Sequence, residues 1–80
     1  MKNKIIIQKM YAYVCKIMDY CIGYDYSSFS EDSKPADACV INLIQLGELC
    51  HKTDDEFIFA HKDIPWKEMY GLRNRIVHDY

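Results

Sequence analysis

Eighty residues, half of them apolar, suffice for one domain and no more, and a chain this short buries so small a share of its surface that self-association is the reasonable expectation. A net charge of −2 excludes indiscriminate nucleic-acid binding, and three glycines with two prolines give too little punctuation for many short strands. The apolar run Ile5-Ile6-Ile7 is followed by Lys9, Lys16 and Asp19, which excludes a membrane span and a leader there, so a cytoplasmic protein is expected.

The first predicted helix runs from Asn3 to about Tyr24, because Ile7, Met10, Tyr11, Val14, Ile17, Met18, Cys21 and Ile22 recur every three or four positions. Gly23 and the polar run Asp25-Tyr26-Ser27-Ser28 end it. A second helix is expected from Ser33, with Ser33 as N-cap, Pro35 in the first turn and Asp37 near the positive helix end. Val40, Leu43, Ile44, Leu46 and Leu49 form its buried side, and it fades at Cys50-His51-Lys52. Gly47 costs a helix about 1 kcal/mol relative to Ala, and it reads as a point where a neighbouring helix comes close. Residues 54–60 form a short segment of undecided type. The last helix is capped by Asp63 or Ile64, has Pro65 in its first turn and runs to Tyr80.

Cys15, Cys21, Cys39 and Cys50 contain no C-x-x-C pair and read as reduced, buried thiols. Zinc would need close ligand pairs, and the nearest candidate, Cys50-His51 with distant His61, is a poor one. Neither a metal nor a cofactor is expected.

The closing segment RNRIVHDY carries the chemistry. Both arginines of the chain, Arg73 and Arg75, lie here beside Asn74 and just before His78. A guanidinium grips phosphate with a planar fork of donors, and imidazole can give or take a proton at neutral pH. Those are the needs of RNA cleavage, in which the 2′-hydroxyl attacks the adjacent phosphorus and the 5′-oxygen departs. On a helical wheel Trp66, Met69, Leu72, Ile76 and Tyr80 share one apolar side, while Arg73 and His78 diverge by about 140°. A single helix therefore does not aim both at one point, but two copies related by a two-fold axis could. The same residues would also favour the negative end of the helix dipole with no function at all.

This ensemble resembles the R-N-x-x-x-H-x-Y signature of HEPN-domain proteins, and more narrowly the HepT-like group. Phe29, Asp37-Ala38, Leu46-Gly47-Glu48, Ile64-Pro65-Trp66 and Met69 are similar to that group in order and spacing, so the likeness spans nearly the whole chain. The resemblance implies an all-α, antiparallel helical bundle of about three main helices, one domain over residues 1–80, dimerising or assembling further through the motif helix. It implies a metal-independent endoribonuclease toxin acting on RNA, silenced by a minimal nucleotidyltransferase antitoxin that transfers AMP to the motif tyrosine. Carried over, Arg73 and His78 are catalytic, and Asn74, Arg75 and Glu48 support them, with Glu48 a partner for a motif arginine. Tyr80 is the AMP acceptor. Family members continue past this tyrosine into at least one more helix, so a chain shortened at its C-terminus is expected. The alternatives are a non-catalytic module assisting the nucleotidyltransferase and an inactive remnant.

Overall fold

A computed structural model describes residues 2–79. Among them it contains five helices and no strand: α1 (Lys2–Cys21), α2 (Tyr26–Glu31), α3 (Ser33–Lys52), α4 (Asp55–Ala60) and α5 (Trp66–Asp79). The all-α bundle with three long helices is the architecture expected from the sequence. Helix α3 is the centre, packed against α1 on one side and α5 on the other. Both packings are antiparallel. Cys39, early in α3, has its thiol 4.0 Å from the Ile17 carbonyl late in α1, and Lys2 meets Asp54, just beyond α3, at 3.4 Å. At the other flank His51, late in α3, stacks on Tyr70, early in α5. The molecule measures 41 × 25 × 18 Å, and its least dimension is smaller than two helix diameters of about 10–12 Å each.

The ends of the elements follow from local chemistry. Gly23 adopts φ +81°, a left-handed conformation that closes α1 and turns the chain. The polar run after it, read above only as a terminator, starts α2. The Asp25 carboxylate accepts from the Ser28 backbone N–H at 2.8 Å, and Ser28 Oγ accepts from the Asp25 N–H at 3.0 Å, a reciprocal capping box. The N-cap of α3 is Asp32, one residue before the expected Ser33. Its carboxylate accepts from the Lys34 N–H at 3.1 Å and from the Tyr24 hydroxyl at 2.7 Å, so a charged group already oriented by a neighbour displaces the weaker serine. These hydrogen bonds hold both capping carboxyls below their ordinary pKa. The stability they lend is thus complete near neutrality and is lost as pH falls through the lowered values.

The undecided segment 54–60 is helix α4, which turns Phe57 and Ile58 onto a core of Ile6, Met10, Leu46, Cys50 and Trp66. Trp66 opens α5 and donates from Nε1 to the His61 carbonyl at 2.9 Å, tying the α4–α5 loop to that core. Pro65 lies just before the helix, with its carbonyl accepting from Met69.

The buried faces differ from those expected in three places. On α1 the face that meets α3 is Ile6, Met10, Tyr13 and Ile17, while Tyr11, Met18 and Ile22 are 71%, 65% and 73% exposed. This helix carries two apolar stripes, and the layer covers one. On α3 Cys39, Asn42, Leu46 and Cys50 form the buried spine, and Val40, Leu43, Ile44 and Leu49 are only half-buried beside it. Asn42 is accommodated there because its amide donates to the Ala38 carbonyl at 2.8 Å. On α5 Leu72 is exposed, and Tyr70 and Arg73 take its place towards α3 with Trp66, Met69 and Ile76. Of the cysteines, Cys39 and Cys50 are buried and burial pushes both thiols above their usual pKa, whereas Cys21, expected inside, is exposed.

Gly47 sets the α3–α5 distance. A methyl group there would fall on Arg73 Cβ and within 2.9 Å of its Cγ and 3.2 Å of the Met69 carbonyl oxygen. The obstacle is close to the α5 backbone, so no side-chain rotation relieves it. Gly47→Ala gains about 1 kcal/mol of helix propensity but incurs an overpacking cost of about 1–3 kcal/mol. Urea denaturation is expected to show a net loss of stability, and a more stable variant would contradict this packing.

Candidate functional site

The close approach at Gly47 places Arg73 against the next residue of α3, Glu48. Arg73 Nε lies 2.5 Å from Glu48 Oε1, with the two side chains 25% and 36% exposed. The Nε–H direction misses the carboxylate oxygen, so the contact is a charge pair rather than an aligned hydrogen bond. On the other edge Arg73 Nη1 donates to Asn74 Oδ1 at 2.8 Å. The guanidinium carbon stands 5.8 Å from the centroid of the Tyr70 ring, one turn earlier on α5. The Tyr70 ring in turn stacks on His51, with centroids 4.8 Å apart and planes 10° from parallel.

Arginine has five N–H donors and keeps its charge at every physiological pH. Among the described residues Glu48 and Asn74 engage two of its nitrogens, which leaves the Nη2 edge to receive an anion in the plane of the fork. Side chains locked in this way enter a binding event with less entropy to lose. Half-burial strengthens the arrangement relative to a free surface arginine, because nearby water screens it less.

The sequence-derived site residues fall into three groups. Arg73, Asn74 and Glu48 are brought together. Arg75 and His78 are exposed on α5, His78 in the final described turn. The divergence of about 140° between Arg73 and His78 holds on this single helix, so the chain by itself does not converge them. Tyr80 lies outside the described residues. Two ring-bearing neighbours were missed by sequence reasoning. Tyr70 was legible in principle, since it lies three residues before Arg73 and such pairs meet on a helix surface. His51 was not, because its neighbour belongs to another helix. Among the described residues no group of three or more His, Cys, Asp or Glu could hold a metal ion, and no helix is long and apolar enough to cross a membrane.

A helical layer that presents a motif arginine from its last helix defines a class, and comparison with known proteins gives the family. The model of the ribonuclease HepT-like family matches residues 10–80. The chain belongs to the HepT-like ribonuclease family. It is 30% identical over 64 residues to a protein of Methanocaldococcus jannaschii named "Putative RNase", covering 80% of this chain and 53% of that one. A protein of Caldanaerobacter subterraneus with the same designation is 33% identical over 58 residues, which are 72% of this chain and 52% of that one. One of Thermococcus cleftensis, named "Probable ribonuclease HepT", is 31% identical over 55 residues, 69% of this chain and 50% of that one. The chain spans about half the length of these relatives. No solved structure matches significantly.

The pairing of Arg73 with Glu48 has a measurable energetic signature. Partly buried, it should show a coupling of about 0.5–1 kcal/mol in a double-mutant cycle of Glu48→Gln and Arg73→Gln followed by urea denaturation. The Lys2–Asp54 pair, with side chains 67% and 53% exposed, should show less. Equal coupling in the two pairs would contradict the assigned role of Glu48.

Proposed function

We propose that this protein acts as a metal-independent endoribonuclease, the toxin of a toxin–antitoxin pair, through an R-x-x-x-x-H-x-Y motif completed across a dimer. The observation that carries the proposal is the pre-set guanidinium of Arg73 on the helix that also bears His78. Family membership over residues 10–80 and relatives designated as ribonucleases support the same reading.

In the proposed reaction Arg73 holds the scissile phosphate. The 2′-oxygen loses its proton and bonds to phosphorus while the bond from phosphorus to the 5′-oxygen breaks and that oxygen gains a proton. The products are a 2′,3′-cyclic phosphate and a free 5′-hydroxyl. Charge gathers on the non-bridging oxygens as the pentacoordinate state forms, and Arg73 stabilises it there. His78 serves in proton transfer, for which imidazole is suited near neutral pH. Asn74 keeps the guanidinium in register, and Arg75 adds positive charge along the RNA path.

The divergence of Arg73 from His78 is the reason for invoking a second copy. Exposed positions around α5 support this contact: Leu72 and Val77, on either edge of the packed side, are 44% and 49% exposed, and among the described residues a side chain at Gly71 would meet nothing within 4 Å. A two-fold contact of α5 with its copy would set Arg73 of one chain beside His78 of the other. A second reading, a phosphate-binding module that assists a nucleotidyltransferase, is favoured by the absence of convergence within one chain, and the cleavage assay separates the two.

Cleavage of RNA is expected to persist in EDTA and to be lost in Arg73→Ala and in His78→Ala, with helical circular dichroism retained. An equal mixture of the two inactive variants should recover about a quarter of wild-type activity, because half of the dimers are mixed and each has one intact site. Activity in either single variant would refute the catalytic assignment, and a mixture that stays inactive would refute the composite site.

Tyr80 is proposed as the residue to which a cognate minimal nucleotidyltransferase antitoxin transfers AMP. Added phosphate would compete with RNA for Arg73 by charge and bulk. Mass spectrometry after co-expression should find gains in AMP units on the C-terminal peptide and none in Tyr80→Phe. An unmodified peptide beside an active partner enzyme would contradict this assignment.

A further inference from the structure

The stacked pair of His51 and Tyr70 is not accounted for by the motif. His51 is exposed at the end of α3, yet its ring lies within 10° of parallel to the Tyr70 ring across the helix interface, at 4.8 Å. One face of the imidazole is covered by Tyr70, and the residue as a whole is exposed. Beside the pair, a groove of about 280 Å³ runs between the end of α3 and the start of α5, with Cys50, Thr53, Trp66 and Lys67 among its lining residues. The guanidinium of Arg73 stands 5.8 Å from the same Tyr70 ring, so the rings and the phosphate-gripping residue form one continuous array. Tyr70 precedes Arg73 by three residues, about 4.5 Å of helix rise.

We infer that His51, backed by Tyr70, is a stacking platform for one unpaired base of the RNA, adjoining the phosphate held by Arg73. This deepens the ribonuclease reading and rests on it. Unpaired bases are recognised by stacking on flat side chains, because every base has a π-face and no particular sequence is needed. Tyr70 fixes the tilt of the imidazole before RNA arrives, so the platform is pre-organised in the same way as the arginine. Lys67 and Asp55 both line the groove, so its wall is close to neutral and the phosphate contact rests on Arg73. The array makes the site selective for single strands: a base paired in a duplex has both faces occupied by its neighbours and cannot reach His51.

The test is fluorescence anisotropy with a labelled single-stranded 2′-O-methyl oligonucleotide, which lacks the attacking hydroxyl and is not consumed. His51→Ala should weaken binding by about 5- to 150-fold, the range for loss of one stacked base. His51→Phe, which keeps a flat ring and cannot transfer a proton, should retain wild-type affinity. An oligonucleotide lacking one base at the stacked position should bind more weakly to the wild type but no more weakly to His51→Ala. Unchanged affinity in His51→Ala would overturn the platform while leaving the ribonuclease reading intact. Equal loss in His51→Phe and His51→Ala would overturn it in favour of a proton or hydrogen-bonding role. A wild-type protein that neither binds this oligonucleotide nor cleaves RNA would remove both readings together.

Discussion

The distance between α3 and α5 at Gly47 governs the rest of the structure. Only a residue without Cβ lets the α5 backbone come near enough for Arg73 to lie flat against α3, and the following residue then supplies the carboxylate that faces it. One position thus determines both the packing of two helices and the orientation of a cation. The same approach places Tyr70 against His51 one turn away. If α5 stood farther out, Arg73 would be an ordinary flexible surface side chain, and each hydrogen bond it made would cost more rotamer entropy.

The remainder of the architecture is a support for that contact. Trp66 anchors the start of α5 through its indole N–H and its place in the core, and α4 fills the corner with Phe57 and Ile58. The layer is thin, however, and the apolar stripe of Tyr11, Met18 and Ile22 on α1 and the single residues Leu72 and Val77 on α5 remain exposed. The two differ in their relation to the site. The exposed α5 residues lie on the helix that carries His78, which is why the proposed catalytic dimer is built there rather than on α1.

Much of this was legible in the sequence where local rules dominate. Helix periodicity located the three long helices, Gly23 and Pro65 marked two boundaries, and Gly47 announced a close approach before its neighbour was known. Legibility failed where the outcome depended on which side of a helix found a partner. α1 has apolar residues around more than half its circumference, so periodicity alone could not choose Ile6 and Met10 over Tyr11 and Met18. Leu72 was assigned to the core by hydrophobicity, but the space beside Gly47 accepts the aliphatic stem of Arg73 instead, an instance of a long charged side chain covering apolar surface. α2 was missed because its capping box uses Ser28 where Glu or Gln is usual. The site was legible as a motif, while the link from Arg73 through Tyr70 to His51 required the fold.

The central claim is that Arg73 is held in one orientation by α3 and keeps its outer edge for a phosphate. Nitrogen-15 NMR of the Arg73 guanidinium measures this directly, in the free protein and with a 2′-O-methyl single-stranded oligonucleotide added. The account predicts a resolved Arg73 Nε–H signal in the free protein, protected from exchange relative to Arg75, and a change confined mainly to its Nη nitrogens when RNA binds. An Arg73 signal indistinguishable from that of the exposed Arg75 in exchange rate and in response to RNA would contradict it.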